Sequence, residues 1–236
     1  MLDALRLPLR RLLYRAALPP RSTSLGKLYL GRGQPVVLLP AFGGGPESTA
    51  ALRTILDEAG FATYDWGLGV DAGAADLGLD QCLPRFEEQV IEVFESERRP
   101  VSLLGWGLSG IYAREVAKRI NPLVRQVITL GAPFNSAAQP GTECAMLATL
   151  ASTTGRMDPS LRNRLRQRPP VPCTTIFSRG DELVPWRMSV ETETVISENV
   201  EVPACSHRRL AGHPKVLEVI TNRLAQPDGE WLPFDV

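Results

Sequence analysis

The stretch LLGWGLSGIYAREVA, residues 103–117, decides the fold. It opens as the continuation of an apolar run that starts at Val101 and passes through Gly105, Gly107 and Ser109. It then becomes a pattern with Ala113, Val116, Ala117 and Ile120 at helical spacing. A strand that gives way to a helix through so short a connection turns sharply, and the residue at the tip takes strained dihedrals. Strand end and helix start nearly touch across such a turn, so the residues two before and two after the tip must be small. With the tip at Gly107 the flanks are Gly105 and Ser109, both small. With the tip at Ser109 they are Gly107 and Ile111, and a β-branched isoleucine collides. Sterics therefore put the tip at Gly107 and start the helix at Ser109.

Outward from this turn, short apolar runs recur between helical patterns. PVVLLP (35–40), FATYDW (61–66), VSLLG (101–105), QVITLG (126–131), CTTIFS (173–178) and NVEV (199–202) read as strands. Leu52, Ile55, Leu56 and Ala59 share one helical face, with Gly60 where a helix stop belongs. Asn121-Pro122 ends the helix after the turn, and Pro214 suits a first helical position ahead of Leu217, Ile220 and Leu224. The alternation predicts an α/β fold, a mostly parallel central sheet with helices on both faces. Residues 134–172 delay the fifth strand and read as a small cap-like insertion over the C-terminal strand ends, where ligands of such sheets bind. The expected organisation is an N-terminal amphipathic arm at 1–34 and one domain at 35–236.

Twenty-six basic residues balance twenty-six acidic ones, so no global field favours nucleic acid. Cys82, Cys144, Cys173 and Cys205 form no CxxC pair, and with only His207 and His213 a zinc site is not expected. The cysteines read as small buried hydrophobes in a reducing compartment. Glycines 43–45 lack a following GK[ST], and GLGVDAG at 67–73 lacks dinucleotide-loop spacing, so no cofactor is expected. The first twenty residues hold no apolar run long enough for a secretory signal or membrane span. Their clustered leucines and arginines read as an arm packed on the domain, with peripheral membrane contact through residues 1–20 as the alternative. The expected location is cytoplasmic, and nothing in the pattern fixes an oligomeric state.

VSLLGWGLSGIYAREVA is similar to the segment of α/β-hydrolase-fold esterases and lipases that reads Gly-Trp-Ser-Leu-Gly-Gly before a comparable helix. The resemblance extends to LPAFGGG (39–45), DWGLG (65–69), QVITLGAPF (126–134), SRGDELVPW (178–186) and the tail from Cys205 to Phe234. It covers most of residues 35–234, with the motifs in the family's order. The family would place its nucleophilic serine at position 107, where this chain has Gly107.

The resemblance implies Asp181 as the acid that orients a histidine, with Glu182 a weaker stand-in, and His207 as the general base. It implies an oxyanion hole from the backbone N–H groups of Leu108 and Phe42. His213 reads as a cap residue on the last helix. A glycine at the tip has no atom with which to attack a carbonyl, which closes the acyl-enzyme route there. The expectation is a chain with weak or absent hydrolase activity that binds a small apolar or acyl-ester ligand. The alternatives are an active esterase using Ser109 or a water activated by His207, and a non-catalytic scaffold or lyase.

Overall fold

A computed structural model describes residues 27–41, 44–69, 79–135, 144–148 and 158–235. Six strands form one sheet: β1 (Pro35–Leu39), β2 (Ala62–Asp65), β3 (Val101–Trp106), β4 (Val124–Leu130), β5 (Cys173–Phe177) and β6 (Ser197–Glu201). Their spatial order is β2-β1-β3-β4-β5-β6, and every neighbouring pair is parallel. The order reverses between β1 and β3, and it is at the C-terminal ends of the strands beside such a reversal that ligands of parallel sheets bind. All six strands were legible in the sequence, each displaced by at most two residues at either end.

Alternate strand residues divide between two cores, as the two-residue period of a strand requires. Val37, Leu39, Leu103 and Val127 meet α2 (Leu79–Glu97), α3 (Ser109–Arg119) and α5 (Pro159–Arg166). Val36, Leu38, Leu104, Ile128 and Ile176 meet α1 (Ala50–Glu58) and α6 (Pro214–Ala225) on the opposite face. Both faces of the central strands are dry, which is why PVVLL and VSLL read as continuous apolar runs rather than alternating ones.

Helix ends follow their sequence signals. Gly60 at φ +89° closes α1, with Gly60 N–H donating to Asp57 O and Phe61 N–H to Leu56 O, both at 3.0 Å. His213 caps α6 by accepting from the Lys215 N–H through Nδ1 at 3.2 Å, ahead of Pro214 at the first helical position. The nineteen-residue α2 was not singled out in the sequence. Its buried face, Cys82, Leu83, Phe86, Val90 and Val93, has helical spacing, but Pro84 inside the first turns masks it.

The first arm residues, 1–26, and residues 136–143 and 149–157 of the expected cap lie outside the described residues. Of the rest of that insertion, α4 (Ala145–Ala148) reaches the turn after β3 through Met146. In contrast, α5 packs along the flank of α3 rather than over the strand ends. There Lys118 Nζ donates to Arg164 O at 2.7 Å, and Arg164 pairs with Glu115 at 3.2 Å and with Asp80 at 2.9 Å. Deeper on the same face, buried Arg114 pairs with buried Glu191 at 2.7 Å and lies 3.7 Å from the Phe134 ring centre. Among the described residues no helix is long and apolar enough to cross a membrane.

Two outcomes follow from this packing. A β-carbon at Gly105 would stand 2.6 Å from Gly110 Cα, a backbone atom with nowhere to go. Gly105→Ala is therefore expected to destabilise the fold by about 3 kcal/mol or more, read as a lowered midpoint in chemical denaturation. Burial lowers the His213 pKa from 6.5, and nearby Arg209 lowers it further, so folding favours the neutral ring. That contribution is intact above the unfolded value and is lost as pH falls toward the lower folded value. The Tm of wild type should drop between about pH 7 and pH 5, and His213→Asn, which keeps an acceptor that does not titrate, should shrink the drop.

Candidate active site

The turn after β3 is tight because of two glycines at its base. Gly105 closes on the Gly110 backbone, and a β-carbon at Gly110 would in turn stand 2.5 Å from Ala132 Cβ. The close approach is thus between positions 105 and 110. Ser109 shares it through its backbone, with its carbonyl O 2.7 Å from the β-carbon position of Gly105, rather than through its side chain, the part the flank argument counts. Gly107 takes φ +63°, in the left-handed region where glycine costs nothing and other residues are strained. Its N–H donates to Leu130 O at 2.8 Å, fixing the tip to the end of β4. Leu108 stands at the N-cap of α3, where a backbone N–H has no intrahelical acceptor.

Ser109 is turned away from the tip. Its hydroxyl donates to the Pro40 carbonyl, and the residue is fully buried. This bond ties the start of α3 to the loop after β1. Ser48 Oγ holds that loop again by accepting from the Ala41 N–H at 3.1 Å and donating to Gly45 O at 2.7 Å. Phe42, on the same loop, lies outside the described residues.

The loops after β5 and β6 bring Asp181 and His207 together. Asp181 Oδ1 accepts from the N–H groups of Leu183 at 2.9 Å and Val184 at 2.8 Å, which leaves Oδ2 for His207 Nδ1 at 2.6 Å. Both side chains are buried, at 2% and 4% exposure, so water does not compete for this bond. Opposite a carboxylate, which only accepts, Nδ1 is the donor of this bond, and Nε2 is the ring nitrogen left facing the turn after β3. Glu182 is not a second acid on the ring. Its carboxylate accepts from the His207 backbone N–H at 2.9 Å. Ser178 Oγ accepts from Cys205 N–H at 3.0 Å and from Gly180 N–H at 3.1 Å, joining the acid's loop to the base's loop.

The third corner is Gly107. A β-carbon built on it would stand 3.0 Å from His207 Nε2 and 3.3 Å from Met146 Sδ. The structure therefore brings Gly107, Asp181 and His207 to one point and does not bring Ser109 there. His213 remains at the cap of α6, away from this pair.

Three contributors lie outside the residues that the sequence singles out. Trp106 donates Nε1–H to His207 O at 3.2 Å. Gly131, at φ +53°, leaves room for the pair, since a β-carbon there would be 2.7 Å from Asp181 Oδ2. Met146 covers the tip from α4. A glycine closing an apolar strand was a readable signal for Gly131, but Met146 had none, because its place depends on the path of the insertion. Burial raises the Cys144 thiol and pushes Cys205 up to about 11, so neither is poised as a thiolate. All four cysteines are buried and stand outside any disulfide. Among the described residues no cluster of His, Cys, Asp and Glu could hold a metal ion.

No protein-family model matches the chain, and no curated protein matches it in sequence. Solved structures do. Aspergillus fumigatus lipase B is similar over 92% of this chain and 57% of its own, with TM-score 0.67 at 15% identity. A monoacylglycerol lipase from Paleococcus ferrophilus is similar over 84% of this chain and 95% of its own, with TM-score 0.59 at 14% identity. MGS-MChE2, an alpha/beta hydrolase enzyme from a lagoon-sediment metagenome, is similar over 82% and 90%, with TM-score 0.53 at 15% identity. At such identities the likeness is one of architecture, and together with the parallel six-stranded sheet it shows that this chain has the α/β-hydrolase fold.

Proposed function

We propose that this chain is a non-acylating relative of the carboxyl-ester hydrolases. It keeps the acid–base pair Asp181–His207 and a backbone donor at Leu108, lacks the attacking hydroxyl, and binds an apolar, acyl-ester-like ligand with weak or absent turnover. One observation carries the reading: a side chain begun at Gly107 would meet His207 Nε2 first, since its β-carbon position is already 3.0 Å away, so that a slight give of the ring would bring a serine hydroxyl to its base. Glycine supplies no oxygen, so no bond to an acyl carbon forms there. Loss of the nucleophile in such a triad costs about a millionfold in turnover and leaves roughly 10³–10⁴ over water from oxyanion donors and binding.

Ser109 is a poor substitute. To attack, its hydroxyl would have to leave the Pro40 carbonyl, which would then be buried without a partner. A second reading draws on the completeness of the Asp181–His207 pair, which is aligned by a 2.6 Å bond. In it, Nε2 takes a proton from water as the water oxygen adds to an ester carbonyl, and then returns that proton to the departing alcohol.

The test is labelling by a fluorophosphonate, and hydrolysis of short activated esters, in wild type beside Gly107→Ser. Wild type should remain unlabelled, and Gly107→Ser should label and hydrolyse about a hundredfold faster or more. A labelled wild type that loses its label in Ser109→Ala would sink the proposal. Hydrolysis without labelling that stops in His207→Ala would favour the water route. Ser109→Ala itself should destabilise the fold by about 1–3 kcal/mol, through the orphaned Pro40 carbonyl, and leave any residual hydrolysis unchanged.

A further inference from the structure

The room above the tip is not empty. Met146 Sδ lies 3.3 Å from the β-carbon position of Gly107, beside the Nε2 that lies 3.0 Å from it. Met146 is 4% exposed and packs in the core cluster that contains Leu108, Ile111, Phe134 and Val184. Its neighbours are held: Leu147 is buried beside it, and Cys144 points its thiol at Leu183 O, 3.6 Å away, on the turn that carries Asp181. The thioether is thus presented to the tip by a segment tied to the site itself.

We infer that Met146 is the plug of this site, filling the place of the missing nucleophile side chain and deciding what reaches His207 Nε2 and the Leu108 N–H. The ring cannot easily withdraw, since Asp181 holds Nδ1 at 2.6 Å and Trp106 and Glu182 hold the backbone on either side of it. The methionine can withdraw, because its side chain is unbranched and turns about three bonds. When it swings aside it vacates the room of one slender chain. An unbranched apolar group therefore enters ahead of a branched or aromatic one. This selectivity rests on the ligand-binding reading above, whereas the plug itself does not.

The two histidines of the chain give a test that needs no catalysis. Diethyl pyrocarbonate acylates an accessible imidazole nitrogen, and mass spectrometry reads His207 and His213 separately, with His213 as the internal reference. In wild type His207 should react far more slowly than His213. Met146→Ala should raise the His207 rate about tenfold or more with His213 unchanged, while Met146→Leu, which keeps the bulk, should stay near wild type. An unchanged His207-to-His213 ratio in Met146→Ala overturns the plug, and so does a rise at both histidines, which would report general loosening.

The ligand selectivity is read separately in the Gly107→Ser background, with a straight-chain alkyl fluorophosphonate and its branched isomer. Adding Met146→Ala should cut the preference for the straight chain by roughly tenfold. If His207 is unmasked but neither Gly107→Ser nor the double variant labels, the plug stands and the hydrolase-relative reading falls. An unaltered preference overturns the selectivity.

Discussion

The site depends on the contact between two glycine backbones. Where β3 gives way to α3, Gly105 approaches Gly110 so closely that a single added carbon would meet main chain at 2.6 Å. This closeness makes the turn sharp, throws position 107 clear of both elements, and leaves the N-cap of α3 at the C-terminal edge of the sheet. The loops after β5 and β6 then need only reach across to the same point. They do so through Ser178, which holds both, and through the bond between Asp181 and His207.

Much of this was legible because the relevant forces are local. Strands buried on both faces must be apolar throughout, so PVVLL and VSLL stood out. Gly60 and Pro214 announced helix ends through backbone conformation alone. A steric argument places the tip at position 107, although the side chain that would collide in the structure is one added at Gly110, a position that argument does not count. The helix at 79–97 was hidden by Pro84, because one lost hydrogen bond near a helix start looks in sequence like a break. The basic segment at 159–166 looked like part of a cap. Charge composition does not reveal that Lys118 and Glu115 would draw it onto the flank of α3. Trp106 meets His207, and Met146 meets the tip at Gly107, only through tertiary packing, and no spacing rule reaches that far.

Serine at 109 illustrates how a residue type can mislead when its partner is unknown. A hydroxyl near a histidine invites a chemical reading. Here the hydroxyl spends its donor on Pro40, joining the start of α3 to the loop after β1. Its work is to hold two loops in register.

The histidine is equally a piece of masonry. Its backbone N–H is taken by Glu182, its carbonyl by the Trp106 indole, and its ring by Asp181, while Gly131 must stay bare to admit the pair. Remove the imidazole and a buried carboxylate loses its partner in a dry place, a fault that threatens folding whatever becomes of catalysis. These structural duties alone would make Asp181 and His207 hard to replace. In this architecture, finding an intact acid and base says less about present turnover than it would in a protein where they had no structural duties.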